Sequence, residues 1–141
     1  MTGSIKAWVG SEPLICSEWE AFVATTGSGA TVTFIGTVRD EDHGRDVIEL
    51  EYEAHPNACV MLEEILRDCC NIFGEVRAAA AAHRTGLLQV SEVAFIACVS
   101  SPHRQEGFAA CQWIVDAVKE RLPVWKRQIF ANGGREWVNA Q

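Results

Sequence analysis

The chain has 141 residues, of which 48% are hydrophobic and 22% are charged, and its formal net charge is −7. These values are typical of a single globular domain, here spanning residues 1–141, and they exclude a disordered chain. An acidic protein is a poor partner for nucleic acid or an anionic membrane, and no apolar run approaches the ~18 residues that cross a bilayer. Because the N-terminus also lacks the apolar core of a signal peptide, we expect a cytoplasmic protein.

The six cysteines favour a reduced protein core over a disulfide framework. No secretory signal accompanies them, and most of them fall inside apolar periodic segments. The sequence has no C-x-x-C motif, and its four histidines show no metal-ligand spacing, so we expect neither a metal nor a cofactor. The cysteines are Cys16, Cys59, Cys69, Cys70, Cys98 and Cys111.

The first elements in chain order are a short strand and a short helix. Residues 5–9 are rich in strand-forming side chains. Ser17 and Glu20 have the spacing of a capping box, which predicts a helix that continues to Ala24.

Two strands follow this helix. Residues 29–39 alternate threonines with apolar side chains, which predicts a strand, and Gly36 weakens it unless a bulge, a ligand or another backbone needs the space. Residues 40–46 form a predicted charged loop. Residues 47–55 alternate apolar and glutamate side chains, as in an antiparallel strand with one buried face.

The middle of the chain predicts a long helix and then two strands. Residues 56–73 carry apolar side chains at helical spacing between Pro56 and Gly74. The alanine-rich segment 75–83 is locally helix-prone. A strand is nevertheless favoured, because the preceding helix ends at Gly74 and a turn follows at Arg84-Thr85-Gly86. The apolar run 93–100 predicts a buried strand.

The last third predicts a helix and a β-hairpin. The helix ends at Leu122, because Pro123 cannot continue it, and strands over residues 124–130 and 135–138 follow. The order of elements favours an α+β fold with helices packed on a mostly antiparallel sheet. The predicted buried stripe of the helix is Phe108, Cys111, Val115, Val118 and Leu122.

Two of the three lysines in the chain, Lys119 and Lys126, lie on either side of Pro123. A helix end and the following strand are rigid elements that can aim both amines at one pocket. The alternative is that they are solvated surface lysines, with Lys119 complementing the dipole of its helix.

Basic residues are concentrated near these lysines in an otherwise acidic chain. Between His103 and Arg135, six basic residues face only three acidic ones. This pattern favours a small anionic ligand, since arginine binds phosphate or carboxylate and a lysine of depressed pKa acts as a base or nucleophile. Arg39, at the end of a strand, and the pair His103 and Arg104 are further candidates, although each alone is more often structural. No P-loop, dinucleotide fingerprint or G-x-S-x-G motif is present.

The ensemble of motifs resembles the large catalytic subunit of molybdopterin synthase, the MoaE family. The resemblance runs in register from about Gly29 to Trp137. The matching motifs are Gly29-Ala30-Thr31-Val32-Thr33-Phe34-Ile35-Gly36-Thr37-Val38-Arg39, Tyr52-Glu53-Ala54-His55-Pro56, His83-Arg84-Thr85-Gly86, Ser100-Ser101-Pro102-His103-Arg104, and Lys119 through Lys126-Arg127.

This resemblance implies an α/β hammerhead fold and a cytosolic homodimer. Each end of the dimer would bind a small ubiquitin-like sulfur carrier, a MoaD-like subunit, which completes a heterotetramer. The carrier's C-terminal Gly-Gly thiocarboxylate would donate sulfur to cyclic pyranopterin monophosphate (precursor Z), and two transfers would form the dithiolene of molybdopterin. A binding module of the same fold without catalysis, docking a ubiquitin-like partner or a phosphorylated metabolite, is the alternative.

By the same resemblance, Lys119 is the central catalytic residue and Lys126 acts beside it. Arg39, His103 and Arg104 would bind the phosphate and orient the pterin, and Arg127 would add to the anion field. Members of the family usually continue past the C-terminal Trp-Val pair with a further basic residue. This sequence has only Asn139-Ala140-Gln141 there, so Arg135 is the candidate replacement.

Overall fold

The computed structural model describes residues 3–139, in which strands and helices are mixed along the chain. The segment that follows the C-terminal Trp-Val pair includes Ala140 and Gln141, which lie outside the described residues. No helix in the described part is both long and apolar enough to cross a membrane. The elements are β1 (Ser4–Gly10), α1 (Cys16–Val23), β2 (Ala30–Thr37), β3 (Glu41–Asp42), β4 (Arg45–Ala54), α2 (Ala58–Ile72), β5 (Ala78–Arg84), β6 (Gly86–Gln89), β7 (Val93–Ser101), α3 (Arg104–Arg121), β8 (Val124–Phe130) and β9 (Arg135–Asn139).

The first sheet has the strand order β1-β5-β7-β2 and is covered by helices on both faces. Its central strand β5 is the alanine run, whose five alanines are all buried. Ala79 and Ala81 face the helices α2 and α3, while Ala80 and Ala82 face α1. The strand prediction is confirmed, since burial between two helical layers outweighs the helix propensity of alanine.

The second sheet is built around β4, which pairs antiparallel with β3, β6 and β8, and β8 then pairs with β9. Leu50 is buried on one face, whereas the exposed side chain of Glu53 lies on the other. The predicted α+β class is confirmed, and only β1 and β5 pair in parallel among the described strands. The strands form two sheets rather than the single sheet that the sequence predicts.

Three local predictions at helix ends and surfaces are wrong. Ser17 lies inside α1, and no side chain caps this helix, because the Glu20 carboxylate accepts a hydrogen bond from Thr33 at 2.9 Å instead. Helix α2 begins at Ala58, two residues after Pro56. Phe108 is 63% exposed rather than part of the buried stripe of α3.

Two turns also differ from the sequence prediction. The predicted loop 40–46 is a tight hairpin between β3 and β4, because His43 and Gly44 both adopt positive φ and reverse the chain. Strand β6 was not predicted; its four residues are too few for a periodic signal and become a strand by pairing with β4.

Pro123 and Gly36 act as the sequence indicates. Helix α3 ends at Arg121, Leu122 is extended, and β8 begins one residue after Pro123. The register between β2 and β7 shifts at Gly36, so this glycine marks a β-bulge.

Candidate functional site

A cavity of about 380 Å³ lies where the two sheets meet the C-terminal half of α3. Strands from both sheets contribute to its wall, so the site depends on how the sheets are joined. It is large enough for a small-molecule ligand. Its lining residues are Phe34, Gly36, Thr37, Arg39, Glu41, Val47, Leu50, Tyr52, His83, Ala94, Phe95, Val115, Val118, Lys119, Lys126 and Gln128.

Three of the predicted cations converge on this cavity from three different elements. Lys119 comes from the last turn of α3, Lys126 from the middle of β8 and Arg39 from the segment after β2. The break at Pro123 lets the helix and the strand approach the cavity from different directions. The prediction of one pocket shared by both amines is therefore confirmed, and the surface alternative is wrong for Lys126, which is half-buried.

The environment of Lys126 favours its neutral form. Burial lowers the pKa of the Lys126 amine, Asp42 raises it, and the positive charges of Arg39 and Lys119 lower it again. Asp42 also lies 3.9 Å from the guanidinium of Arg39. A lowered pKa makes a larger fraction of the lysine amine neutral at a given pH, and the neutral amine is the form that accepts a proton.

Three uncharged polar side chains, Tyr52, His83 and Gln128, line the same cavity as these cations, and Tyr52 and Gln128 are neighbours of Lys126 in the sheet. Burial raises the pKa of the Tyr52 phenol to about 12, and desolvation lowers the pKa of the His83 imidazole. The His83 ring contacts the Tyr52 ring edge-on at a centroid distance of 5.0 Å. Gln128 is only 4% exposed. The cavity therefore combines cationic groups with neutral hydrogen-bonding groups.

His103 and Arg104 lie at the other end of α3 and do not line this cavity. Both are exposed. Lys119 is fifteen positions after Arg104 on α3, a distance of about 22 Å along the axis. Within one chain, these two residues therefore cannot join the three cations.

Comparison with known proteins identifies the family of this fold and site. The family model described as "MoaE protein" matches residues 9–121. A molybdopterin synthase catalytic subunit from Pyrococcus abyssi is 42% identical over 119 residues, which cover 84% of this chain and 79% of that protein. The chain belongs to the MoaE family.

Solved structures support the same assignment for the MoaE fold. Molybdopterin synthase from Staphylococcus aureus is 32% identical and superposes with a TM-score of 0.87, covering 92% of this chain and 94% of that chain. A chain in the complex of subunits 1 and 2 of the molybdopterin-converting factor from Helicobacter pylori is 18% identical, with a TM-score of 0.71 and coverage of 97% and 90%. The second likeness shows the fold alone.

Arg127, predicted to add to the anion field, lies on the face of β8 away from the cavity of this MoaE chain. Its guanidinium forms an ion pair with Glu51 and lies over the Trp137 ring at 5.1 Å. Arg135 is exposed on β9 opposite Ile129 and does not line the cavity either. Strand alternation explains this, since adjacent residues on a strand point to opposite faces.

We expect Arg127→Ala to lower the free energy of unfolding by about 1–2 kcal/mol, because it leaves the half-buried Glu51 carboxylate without its partner. Urea denaturation followed by circular dichroism measures this change. Arg135→Ala, at an exposed position on the neighbouring strand, is the control and should change stability by less than about 0.5 kcal/mol. If Arg127→Ala kept its stability but bound phosphate more weakly, Arg127 would contribute to anion binding after all.

The cavity also contains residues to which the sequence assigned no role. Tyr52 and His83 belong to motifs that carry the family resemblance, but nothing in their spacing placed them in the same pocket as the lysines. Gln128 was open to prediction, because residues two apart on a strand share a face and Lys126 already pointed to the site. The same rule excludes Arg127.

Proposed function

We propose that this chain is the catalytic subunit of a molybdopterin synthase, a sulfurtransferase of molybdenum cofactor biosynthesis. The convergence of Arg39, Lys119 and Lys126 on one cavity carries this proposal. The family relatives that are named molybdopterin synthase catalytic subunit support it. The free state of all six cysteines is consistent with the reducing cytoplasm, where we place the reaction.

The chemistry of the substrates explains why an acidic protein keeps a cationic cavity. Cyclic pyranopterin monophosphate carries a phosphate, and the C-terminal thiocarboxylate of a ubiquitin-like carrier is a second anion. Arg39 at the rim suits the phosphate, because a guanidinium binds its oxygens with paired hydrogen bonds. Two sulfur transfers then form the dithiolene of molybdopterin.

The two lysines take different roles in this proposal. Lys119 holds the thiocarboxylate beside the pterin carbon that receives sulfur, which supplies orientation and charge stabilisation. Lys126, whose pKa is lowered, accepts and returns a proton at the pterin. This division places the charge-holding amine on the helix and the proton-transferring amine on the strand.

His103 and Arg104 fit this proposal in a homodimer. They lie too far from Lys119 to serve the cavity of their own chain. Phe34 and Phe108, which are 38% and 63% exposed, line an apolar groove next to the cavity. A second copy covering this groove would bury both rings and bring its own His103 and Arg104 to the cavity. A carrier at each outer end completes the heterotetramer.

Mixing two inactive variants tests the shared site. We expect Lys119→Ala and Arg104→Ala to be individually impaired and a refolded equal mixture to recover about one quarter of wild-type activity, because only the mixed dimers contain one intact pocket. Molybdopterin formation measures the recovery. Lys119→Ala mixed with Lys126→Ala is the control and should recover nothing, since both residues belong to the same chain's cavity. An equal lack of recovery in both mixtures would contradict the dimeric site.

Reconstitution from purified components tests the function itself. The protein is mixed with thiocarboxylated carrier and precursor Z, and molybdopterin is measured after conversion to a fluorescent derivative. Product that depends on all three components supports the proposal. Binding of carrier and pterin without any product would show a binding module of the same fold instead.

A further inference from the structure

An acidic side chain, Asp42, lies beside the cations of the cavity. Its Oδ1 atom is 3.9 Å from the Nη2 atom of Arg39. After burial, which lowers the pKa of the Lys126 amine, the charge of Asp42 is the next largest influence on that pKa and raises it. A site that only had to attract anions would gain nothing from a carboxylate at this position, because like charges repel. Asp42 therefore points to a requirement beyond attraction.

The hairpin that carries Asp42 is anchored to the second sheet. Asp42 pairs with Arg45 across the turn between β3 and β4. The Arg45 guanidinium lies over the Phe130 ring at 3.6 Å from its centroid and forms an ion pair with Glu136 at 3.2 Å. The Asp42 side chain is 25% exposed, so the protein shields most of it from solvent. The fold therefore holds this carboxylate in place next to Arg39, and its charge is less screened than that of a fully solvated side chain.

Carboxylates limit the positive charge that the cavity offers to a ligand. Among the described residues, the three cations at the cavity are offset by the carboxylates of Glu41 and Asp42, which leaves a net charge of at most +1. The His43 Nε2 atom lies 3.7 Å from the Asp42 carboxylate, but the His43 side chain is 92% exposed and water screens it. A ligand with one negative charge matches this balance better than a ligand with two.

We propose that Asp42 determines the charge of the phosphate that the cavity accepts, favouring a singly charged phosphodiester over a doubly charged phosphate monoester. The repulsion between this carboxylate and the ligand acts once for each negative charge on the ligand. A phosphate monoester carries nearly two negative charges at neutral pH, whereas a diester carries one. This inference rests on the proposed function, since the phosphate of precursor Z is cyclic and therefore a diester.

Asp42→Asn tests this role with two matched ligands, because asparagine keeps the shape of the side chain and removes its charge. Trimethylene phosphate is a cyclic diester with one negative charge, and propyl phosphate is a monoester with the same number of carbons and two charges at about pH 8. We expect the variant to bind trimethylene phosphate about 5-fold and propyl phosphate about 25-fold more tightly than the wild type, because the doubly charged ligand is relieved of the repulsion twice. Titration followed by NMR measures all four dissociation constants.

Two controls isolate the effect of this one charge. At about pH 5 propyl phosphate takes up its second proton, so the variant should then gain equally for both ligands. Asp46→Asn removes an equal charge from an exposed position on the same hairpin, outside the cavity lining, and should change each affinity less than about 2-fold. Unchanged affinities in Asp42→Asn, or equal gains for both ligands at about pH 8, would overturn the proposal. Weaker binding of both ligands would overturn it too, and would show that Asp42 instead holds Arg39 in position.

The outcomes distinguish this inference from the proposed function. Both ligands are simple phosphates, so their binding does not depend on sulfur transfer. If the wild type forms no molybdopterin but the two affinities rise as expected in Asp42→Asn, the function is wrong and the role of Asp42 stands. If the wild type is active and Asp42→Asn binds both phosphates as the wild type does, the role of Asp42 is wrong.

Discussion

Replacing Lys119 by alanine is expected to reduce molybdopterin formation by at least about 100-fold without loss of the fold. Lys119 lies in the last turn of α3 and lines the cavity. The buried side chains of Val118 and Leu122 anchor this turn in the core. Alanine is a good helix former, so the turn should persist. Single-turnover product formation and a thermal melt followed by circular dichroism measure the two effects.

A matched control for this variant exists on the same helical turn. Arg121 is also basic and close to the C-terminus of α3, but it forms an ion pair with Asp68 at 2.9 Å and does not line the cavity. Arg121→Ala removes an equal charge from the helix end and should retain full activity. If Lys119→Ala forms as much product as the wild type, the catalytic assignment of this lysine is wrong.

Most of the fold could be predicted from the sequence because its local patterns agree with burial. The alternation in β4 and the spacing in α2 each correspond to one buried face, and β8 begins and ends at the predicted residues. The failures occur where pairing or tertiary contacts decide. Strand β6 exists because β4 offers it a partner. Phe108 is apolar yet exposed because it lies in an open groove beside the edge strand β2.

The candidate site was only partly predictable, for reasons of distance and direction. A break at Pro123 allowed Lys119 and Lys126 to share a pocket, but only the family resemblance favoured this arrangement over two solvated surface lysines. The predicted length of α3 alone implies that His103 lies at the far end of the helix from Lys119. The contribution of His83 required the contact between two sheets, which no spacing along the chain expresses.

The roles of adjacent residues on β8 show how a simple rule sharpens such predictions. Grouping Lys126 with Arg127 as one basic cluster treats them as neighbours, whereas a strand separates them onto opposite faces. The structure places Lys126 and Gln128 at the cavity and pairs Arg127 with Glu51. Since alternate residues on a strand share a face, the position of Lys126 predicts Gln128, and not Arg127, as its neighbour in the site.

The second large effect concerns the pH dependence of catalysis through Lys126. Because the neutral amine accepts the proton, we expect kcat/KM to rise with pH through the lowered pKa of Lys126 and then to level off. Lys126→Met should lose this rising limb together with at least about 100-fold of the rate, since a positioned base is removed. A pH–rate profile of both proteins measures the limb directly.

The charges around Lys126 predict opposite displacements of the same limb. Asp42 raises the pKa of this amine, so Asp42→Asn should move the limb to lower pH. Arg39 lowers the pKa, so Arg39→Ala should move it to higher pH, in addition to weakening phosphate binding. If the rising limb of kcat/KM moved in the same direction in both variants, its assignment to Lys126 would be contradicted.

Stability provides an independent reading of the same pKa. The amine binds its proton less tightly in the folded state than in the unfolded state, so between the two pKa values the unfolded chain carries more protons and stability rises with pH. Below the folded pKa the buried charge is a fixed cost. Lys126→Met removes that cost and should be more stable than the wild type at a pH where the amine is charged. The difference should shrink as pH rises towards the ordinary lysine pKa of about 10.4, and a difference independent of pH would show that Lys126 is not perturbed.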